Sequence, residues 1–284
     1  MIAVIESVDA LSKRIEEYRE NEKTIGFVPT MGALHEGHIS LVRKAKREND
    51  IVIISVFVNP TQFNDKKDLE KYPRTLDADV ELLVPHGVSI VFAPGMHEVY
   101  PKGVELGSDI DLGGLDEYME GAFRPGHFKG VAQVVKRLLE IVTPDRLYMG
   151  QKDFQQFSII GHMIRTLHIH TELVVCRIIR ESSGLAMSSR NERLLQKTRD
   201  QAGLIYKTLK AVKKYRNSKS VSELKKYGLK RLAVPPFQPD YLSIVDGFTL
   251  QPLNDINSST YAVACVAVWA DGVRLIDNII LKKD

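Results

Sequence analysis

The chain has 284 residues, and its 39 Lys and Arg against 36 Asp and Glu give a formal net charge of +3 at pH 7. This length predicts one large or two ordinary domains, and 44% hydrophobic with 26% charged residues is ordinary globular composition. A wholly disordered chain, a collagen and a coiled coil are therefore excluded. The small net charge gives no argument for a nucleic-acid partner, and we interpret the basic runs at 43–47 and 225–231 as solvated helix faces.

The first residues carry charges and include no apolar core of signal-peptide length, so we expect no signal peptide. The longest apolar run, at 261–270, is about half as long as a membrane span. Cys176 and Cys265 stand in apolar, β-branched runs, which predicts buried thiols rather than a disulfide. We expect a soluble cytoplasmic protein that binds neither membrane nor nucleic acid.

Strand and helix patterns alternate over the first two thirds of the chain. Residues 24–29 predict a buried strand, 38–49 an amphipathic helix and 50–58 a strand covered on both faces. The further predicted elements are helices at 76–85, 128–141 and 154–167 and strands at 88–92, 147–149 and 173–179. Strands separated by helices predict a mostly parallel sheet with right-handed crossovers.

The pattern changes near residue 180. Residues 193–232 are charged and helical in pattern, and a proline-rich break follows. Three apolar runs then predict strands at 241–245, 261–270 and 273–281, the last two joined by the hairpin signal Asp271-Gly272. We therefore predict an N-terminal α/β domain over 1–180 and a smaller α+β domain, with an antiparallel sheet and helices, over 181–284.

The first predicted strand runs into a turn, PTMGALHEGHIS at 29–40. Gly32 and Gly37 allow the backbone to pass close to a ligand, and the N–H groups at the start of the following helix suit a phosphate. His35 and His38 lie three apart, so both rings fall on one side of the helix start. The spacing fits neither the zinc-protease HExxH nor the dinucleotide motif GxGxxG. We interpret the turn as a nucleotide-phosphate site, although a single histidine is more often structural.

Two further segments follow predicted strands. In NPTQF, Asn59 and Gln62 carry amides that can bind a hydroxyl or a carboxylate, although an N-P turn alone is usually only a turn. In GQKDFQQ, at 150–156, Lys152 stands in a glycine turn and Asp153 is suited to cap the next helix. In a parallel sheet these segments share one edge with the first turn.

A fourth segment, GLAMSSRN at 184–191, lies at the predicted domain junction. Ser188, Ser189 and Arg190 offer two hydroxyls and a guanidinium, which suit a polyphosphate, although a Ser-rich helix start is an equally good interpretation of these residues alone. Together the four segments predict a nucleoside triphosphate site and a reaction at the α-phosphate.

Six motifs, in this order, resemble the pantothenate synthetase (pantoate–β-alanine ligase) family: PTMGALHEGH, NPTQF, KYPRT, EGAFRPGHFKGV, GQKDFQQ and GLAMSSRN. HEGH and MSSR also resemble the HIGH and KMSKS motifs of class I aminoacyl-tRNA synthetases and nucleotidylyltransferases. The resemblance runs from about residue 3 to the C-terminus. It implies a Rossmann-like N-terminal domain, a C-terminal domain that acts as a lid, and a homodimer.

The resemblance implies a two-step reaction. The carboxylate of (R)-pantoate attacks the α-phosphorus of ATP to give pantoyl adenylate and pyrophosphate, and the β-alanine amine then displaces AMP to give (R)-pantothenate. The substrates would be ATP, pantoate and β-alanine. The sequence contains no evident side-chain metal site, so Mg²⁺ is expected to arrive on the ATP phosphates.

The resemblance also assigns site residues by position. The expected catalytic residues are His35, His38, Lys152 and Arg190. The expected ATP site comprises Met31, Gly32, Ala33, Leu34, His35, Glu36, Gly37, His38, Gly150, Gln151, Lys152, Asp153, Ile179, Met187, Ser188, Ser189 and Arg190. Gln62, Gln156 and Asn59 are expected at pantoate, and Gln62 also at β-alanine. The family treats the second histidine as a proton donor; we interpret both as phosphate-stabilising donors and leave their protonation open.

One residue departs from the family pattern, which usually has Gly-Glu-Lys-Asp where this chain has Gln151. We expect activity to survive because Lys152 and Asp153 are retained. Three other functions stay open from the residues alone. They are a nucleotidylyltransferase that stops after transferring a nucleotide, a tRNA synthetase, for which little over 100 residues remain beyond the catalytic domain, and a catalytically inactive nucleotide sensor.

Overall fold

The computed structural model describes residues 2–63, 69–70, 72–102 and 110–284. Lys71, the first residue of the KYPRT motif, lies outside this part of the chain. The fold divides into two compact units. The first unit comprises Met1–Gly113, Arg124–Gly150 and Ile159–Cys176. The second unit comprises Gly114–Phe123, Gln151–Ser158 and Arg177–Asp284.

Among the described residues of the first unit, strands form a six-stranded sheet in the order β1-β4-β3-β2-β5-β6, and every neighbouring pair is parallel. The prediction of a parallel sheet is therefore confirmed. β1 and the helix after it were not predicted, and the last strand ends at Cys176 rather than at residue 179. The strands are β1 (Ala3–Ile5), β2 (Ile25–Thr30), β3 (Ile51–Val56), β4 (Ile90–Phe92), β5 (Arg146–Gly150) and β6 (Glu172–Cys176).

Continuous apolar runs produce the central strands, because both faces of a parallel sheet are covered by helices. Phe27, Val28, Ile53 and Ile54 are fully buried, and one face packs on the apolar side of the second helix. In the part of the chain that the structure describes, the α-helices before residue 143 include α1 (Val8–Glu20), α2 (Glu36–Glu48), α3 (Leu76–Leu83), α4 (Met96–Val99), α5 (Met119–Phe123) and α6 (His127–Val142). α5 belongs to the second unit.

The next helix, α7 (Phe154–Thr166), contributes its first residues to the second unit and residues from Ile159 onward to the first. Its start matches the predicted helix over 154–167. The beginning of α7, and the turn before it, thus belong to the same unit as the C-terminal sheet.

The second unit contains an antiparallel sheet in the order β7-β8-β9, as predicted. Asp271 and Gly272 both have positive φ, 48° and 72°, and join β8 to β9 in the tight hairpin that their sequence predicts. The helical pattern over 193–232 resolves into separate helices that pack on the sheet. The elements are α8 (Gln196–Gln201), α9 (Leu204–Tyr215), α10 (Val221–Leu232), β7 (Gln238–Asp246), β8 (Tyr261–Ala270) and β9 (Val273–Lys283).

Within the described residues, every helix is too short or too polar to cross a bilayer. Both cysteines are buried free thiols, as predicted.

Candidate active site

The turn between β2 and α2 has a strained backbone that a buried carboxylate stabilises. Gly32 and Ala33 have positive φ, 82° and 52°. The Asp79 carboxylate, only 3% exposed, accepts hydrogen bonds from the backbone N–H groups of Ala33 (3.0 Å) and Leu34 (2.7 Å). A Cβ at Gly32 would lie 3.0 Å from both Asp79 and Val56, so the turn fits closely against α3 and β3. Asp79 thus fixes the backbone that leads to the two histidines.

His35 and His38 form a reciprocal cap at the start of α2. The Gly37 N–H donates to His35 Nδ1 (3.1 Å), and the His35 N–H donates to His38 Nδ1 (3.3 Å). A ring nitrogen that accepts a hydrogen bond carries no proton, so in this arrangement Nε2 is the nitrogen of each ring that can donate. Both rings stand at the N-terminus of a helix, where anions are favoured.

Asn59 and Gln62, which follow β3, are joined in one amide network. Asn59 is 1% exposed, and its Nδ2 donates to Gln62 Oε1 (3.3 Å) and to the Gly130 carbonyl (3.2 Å). Its Oδ1 accepts from the Tyr100 hydroxyl (2.9 Å), whose pKa is raised by burial, so this hydroxyl stays protonated. Gln62 Nε2 in turn donates to Met31 Sδ at 2.8 Å. Asn59 therefore supports Gln62, and its own amide is occupied by the protein.

The motif EGAFRPGHFKGV contains Arg124 and His127, two residues for which the sequence alone gave no role. His127, 8% exposed at the start of α6, pairs through Nδ1 with the Gln62 carbonyl at 2.7 Å. Arg124 Nη1 lies 3.2 Å from His127 Nε2. These two residues thus belong to the surroundings of Gln62. The only sequence feature that could have indicated this is that an arginine and a histidine stand together in one family motif.

A pocket of about 400 Å³ opens at the carboxyl ends of β2, β3 and β4 in the first unit. Its walls are mostly apolar, and Arg74 contributes a cation. Met31 and Gly32 of the first turn form part of the wall, so the pocket adjoins the backbone that precedes the histidines. The lining residues are Met31, Gly32, Val56, Phe57, Val58, Pro60, Leu69, Arg74, Thr75, Leu76, Ala93, Pro94 and Met96.

In the second unit, the turn before α7 is held by β9. Gln151 Nε2 donates to Asn278 Oδ1 at 3.1 Å, and Asn278 Nδ2 donates to the carbonyls of Gln151 (2.8 Å) and Lys152 (3.0 Å). The Lys152 side chain is 20% exposed and its Nζ lies 3.5 Å from the Asp153 carboxylate. Gln155, next to the expected Gln156, is buried and donates to the carbonyls at 115 and 118.

MSSR, at 187–190, begins at the end of a tight hairpin of the second unit and continues into a short helix. The Met187 N–H donates to the Ile179 carbonyl (3.0 Å), and Gly184, at φ 97°, makes the reversal possible. Ser188 caps the short 3-10 helix Ser189–Arg193, and its Oγ accepts from the Arg190 N–H at 3.3 Å. The interpretation of a Ser-rich helix start is therefore correct for Ser188. This capping role leaves the prediction that Ser189 and Arg190 bind phosphate untouched.

The expected site residues are shared between the two units. In the first unit the structure brings together His35 with His38, and Met31 and Asn59 with Gln62. The expected residues of the first unit are residues 31–38, Asn59, Gln62 and Gly150. Those of the second unit are Gln151, Lys152, Asp153, Gln156, Ile179, Met187, Ser188, Ser189 and Arg190.

The chain is similar to known proteins over almost its whole length. The family model described as pantoate-beta-alanine ligase matches residues 3–280. A pantothenate synthetase from Bacteroides fragilis is 47% identical over 281 residues, which is 99% of this chain and 99% of the relative. The match therefore extends over both units.

Solved structures give the same result. The crystal structure of pantothenate synthetase from Thermus thermophilus has a TM-score of 0.91 at 42% identity and covers 99% of each chain. A pantoate-beta-alanine ligase from Francisella tularensis, complexed with beta-gamma ATP and beta-alanine, has a TM-score of 0.78 at 36% identity and covers 99% of this chain and 98% of its own.

A parallel sheet with an H-x-G-H turn at its carboxyl edge is the arrangement typical of α/β enzymes that bind nucleotides. With a family match over almost its whole length, the chain belongs to the pantoate–β-alanine ligase family. It is accordingly an enzyme of pantothenate biosynthesis, a ligase that joins pantoate to β-alanine.

Proposed function

We propose that this ligase works through a pantoyl adenylate. A pantoate carboxylate oxygen attacks the α-phosphorus of ATP, the bond to the bridging oxygen breaks, and pyrophosphate leaves. The β-alanine amine then attacks the acyl carbon, AMP leaves, and the nitrogen loses a proton to give the amide of pantothenate. The Francisella relative, described with beta-gamma ATP and beta-alanine, supports these substrates.

The histidine cap of α2 is the observation that carries the proposal. As negative charge shifts onto the phosphate oxygens in the first transition state, donors that are already fixed lower its energy without reorganising. We propose that the Nε2–H groups of His35 and His38 are such donors, with the backbone of residues 31–38 around the nucleotide. Because Nδ1 of each ring accepts a hydrogen bond in the cap, we assign hydrogen-bond donation through Nε2, rather than proton transfer, to both residues.

We propose that the cations Lys152 and Arg190 offset the charge of the α- and β-phosphates. The partial burial of Lys152 supports this role, because a cation acts more strongly where less water screens it. The other residues proposed to bind ATP from residue 150 onward are Gly150, Gln151, Asp153, Ile179, Met187, Ser188 and Ser189.

We propose that Gln62 and Gln156 hold pantoate, that Gln62 also borders β-alanine, and that Asn59 supports Gln62. The buried network around Asn59 favours the supporting role, since its amide is already satisfied by protein groups. An amide that both donates and accepts suits a substrate with adjacent hydroxyl and carboxylate groups.

Mg²⁺ is proposed to enter with ATP. Among the residues that the structure describes, no group of three His, Cys, Asp or Glu side chains could hold an ion. The oxygens that Mg²⁺ prefers are then those of the phosphates and water, which fits an ion carried by the nucleotide and offsetting its charge.

We further propose that the protein is a homodimer in the cytoplasm. Light scattering in solution tests the dimer. The two free, buried thiols fit a reducing compartment.

The deciding experiment is isotope exchange between pyrophosphate and ATP with (R)-pantoate present and β-alanine absent. Exchange that requires pantoate would establish adenylate formation. If exchange is absent but β-alanine restores AMP release, the reaction is concerted or needs both pantoate and β-alanine bound. If neither occurs, the nucleotidylyltransferase function would have to be tested next, and nucleotide binding without pyrophosphate release would favour a sensor.

A further inference from the structure

Two adjacent buried residues of β9 hold both segments that carry the proposed phosphate-binding cations. Asp277 is 4% exposed and Asn278 is 2% exposed. Neighbouring side chains on a strand point to opposite faces of the sheet, so the two residues reach different parts of the second unit. One contacts the turn at residues 151–152, and the other contacts the hairpin at residues 179–187.

The Asn278 amide is used completely by the turn that carries Lys152. Its Nδ2 donates to the carbonyls of Gln151 (2.8 Å) and Lys152 (3.0 Å), and its Oδ1 accepts from Gln151 Nε2 (3.1 Å). Both carbonyls belong to consecutive peptides, so the backbone at Lys152 cannot rotate without breaking at least one of these bonds. Asn278 itself never needs to touch a ligand to have this effect.

Asp277 holds the hairpin that leads to Arg190. Its carboxylate accepts two parallel hydrogen bonds from Arg180, at 2.6 and 2.9 Å, and a third from the Asn278 N–H at 2.8 Å. Arg180 also donates to the Gly184 carbonyl at 3.1 Å and pairs with Ala186 across the hairpin. Bidentate geometry fixes the guanidinium in direction as well as in distance.

The hairpin also holds the residues that follow it in the sequence. The Asn191 side chain, fully buried, donates to the Ala186 carbonyl at 3.0 Å. Arg190 therefore stands between Ser188, which caps the short helix, and the anchored Asn191. A displacement of the Asp277–Arg180 pair would move this whole short segment.

We propose that Asp277 and Asn278 are positioning residues for the adenylation step, which set the backbones of Arg190 and Lys152 through one strand. This inference rests on the proposed function of the two cations. Charge stabilisation in a transition state depends steeply on distance, and a shift of about 1 Å in a catalytic group can cost about a hundredfold in rate. A common support on β9 keeps both cations in one frame.

The test compares Asn278→Asp with the same change at the exposed Asn217. Asn278→Asp keeps the shape of the side chain, removes both Nδ2 donors and places an oxygen against two carbonyls. We expect pantoate-dependent pyrophosphate–ATP exchange to fall by at least about tenfold, as the loss of one or two hydrogen bonds allows. Asn217→Asp should exchange at the rate of the unsubstituted chain.

A double-mutant cycle separates positioning from general destabilisation. If Asn278 acts through Lys152, then Asn278→Asp should slow exchange by less than about threefold in a Lys152→Met background, because coupled residues are not additive. The same cycle with Asp277→Asn and Arg190→Met tests the other arm. Additive losses in both cycles would overturn the inference, since they would show that β9 does not act through the cations.

Circular dichroism checks that each variant folds. If Asn278→Asp does not fold, Asn278→Ser takes its place, because it introduces no charge and keeps one donor; it should lower exchange by about threefold, and an unchanged rate would overturn the inference. A chain without substitutions that shows no pantoate-dependent exchange would instead overturn the proposed function, and this inference with it. Exchange in the unsubstituted chain with no loss in Asn278→Asp overturns the positioning role alone.

Discussion

The imidazole rings of His35 and His38 lie against each other, with their centroids 4.1 Å apart and their planes inclined by 40°. Nδ1 of each ring accepts a hydrogen bond from a backbone N–H, so donation from either ring falls to its Nε2.

This geometry predicts which replacement of His38 keeps activity. His38→Ala should lower kcat by at least about two orders of magnitude, because a fixed donor to the phosphates is lost. His38→Gln can place an amide N–H near the position of Nε2 and should recover about tenfold of that loss. Steady-state kinetics would decide. A Gln variant no faster than the Ala variant would favour proton donation by His38 instead.

Removing the charge of Lys152 should slow the same step. Lys152→Ala should lose at least about two orders of magnitude in kcat through lost charge stabilisation in the transition state. Lys226, exposed on α10, provides the control, since Lys226→Ala removes the same charge elsewhere in the second unit. Near-normal turnover of Lys152→Ala would count strongly against its assignment.

Gln151 tests how far this chain depends on its departure from the family pattern. Gln151→Glu would set a carboxylate oxygen against Asn278 Oδ1, where an N–H now donates at 3.1 Å. Because Gln151 is only half-buried, water can rehydrate the new charge. We expect turnover to change by less than about tenfold, or roughly 1.4 kcal/mol. A larger change in kcat would show that position 151 contributes more than support for the turn.

Asp79 should matter for the stability of the fold. Asp79→Asn turns an NH₂ group toward backbone N–H groups and leaves at least one of them without an acceptor, which should cost about 1–3 kcal/mol in the free energy of unfolding. Asp77→Asn, on the exposed side of the same helix, should change stability by no more than about 0.5 kcal/mol. Urea unfolding measures both. Equal stabilities of the two variants would refute the role of Asp79.

The two thiols should be chemically silent in the folded protein. Burial raises the pKa of Cys176 to about 11 and that of Cys265 further above its ordinary value. At pH 8 only roughly one Cys176 in a thousand would be thiolate, the reactive form. A disulfide reagent such as dithionitrobenzoate should therefore label neither cysteine until urea unfolds the chain. Rapid labelling of the folded protein would contradict this burial.

Local sequence patterns predicted most helices and strands of this fold, but they could not predict contacts between residues that are far apart in the sequence. β2 and β3 were predicted from continuous apolar runs and α2 from its apolar stripe, and each of these patterns lies within a short stretch of sequence. β1, with three residues, and the neighbouring α1 were missed, because so short a strand has no readable period. Separate segments were correctly placed after parallel strands, since strand direction alone determines where carboxyl ends meet.

The supports of the site were not predictable in the same way. Asp79 lies 46 residues from Ala33, and Asn278 lies 127 residues from Gln151. Each occupies an ordinary helix or strand position, and nothing in its local sequence indicates which backbone it will meet. The sequence could therefore identify groups suited to contact a ligand, whereas the groups that orient them became visible only in three dimensions.

The exposed hairpin at Asp271-Gly272 affects the proposed active site through the register of β9. Its length determines the register of β9 on β8, from Ala270 opposite Val273 to Cys265 opposite Asn278. A change in the loop that shifted this pairing by one residue would turn every following side chain to the other face of the sheet. Asn278 would then face away from the Lys152 turn, and Asp277 away from Arg180. The number of residues in this loop thus helps to determine where the segments that carry both cations are held.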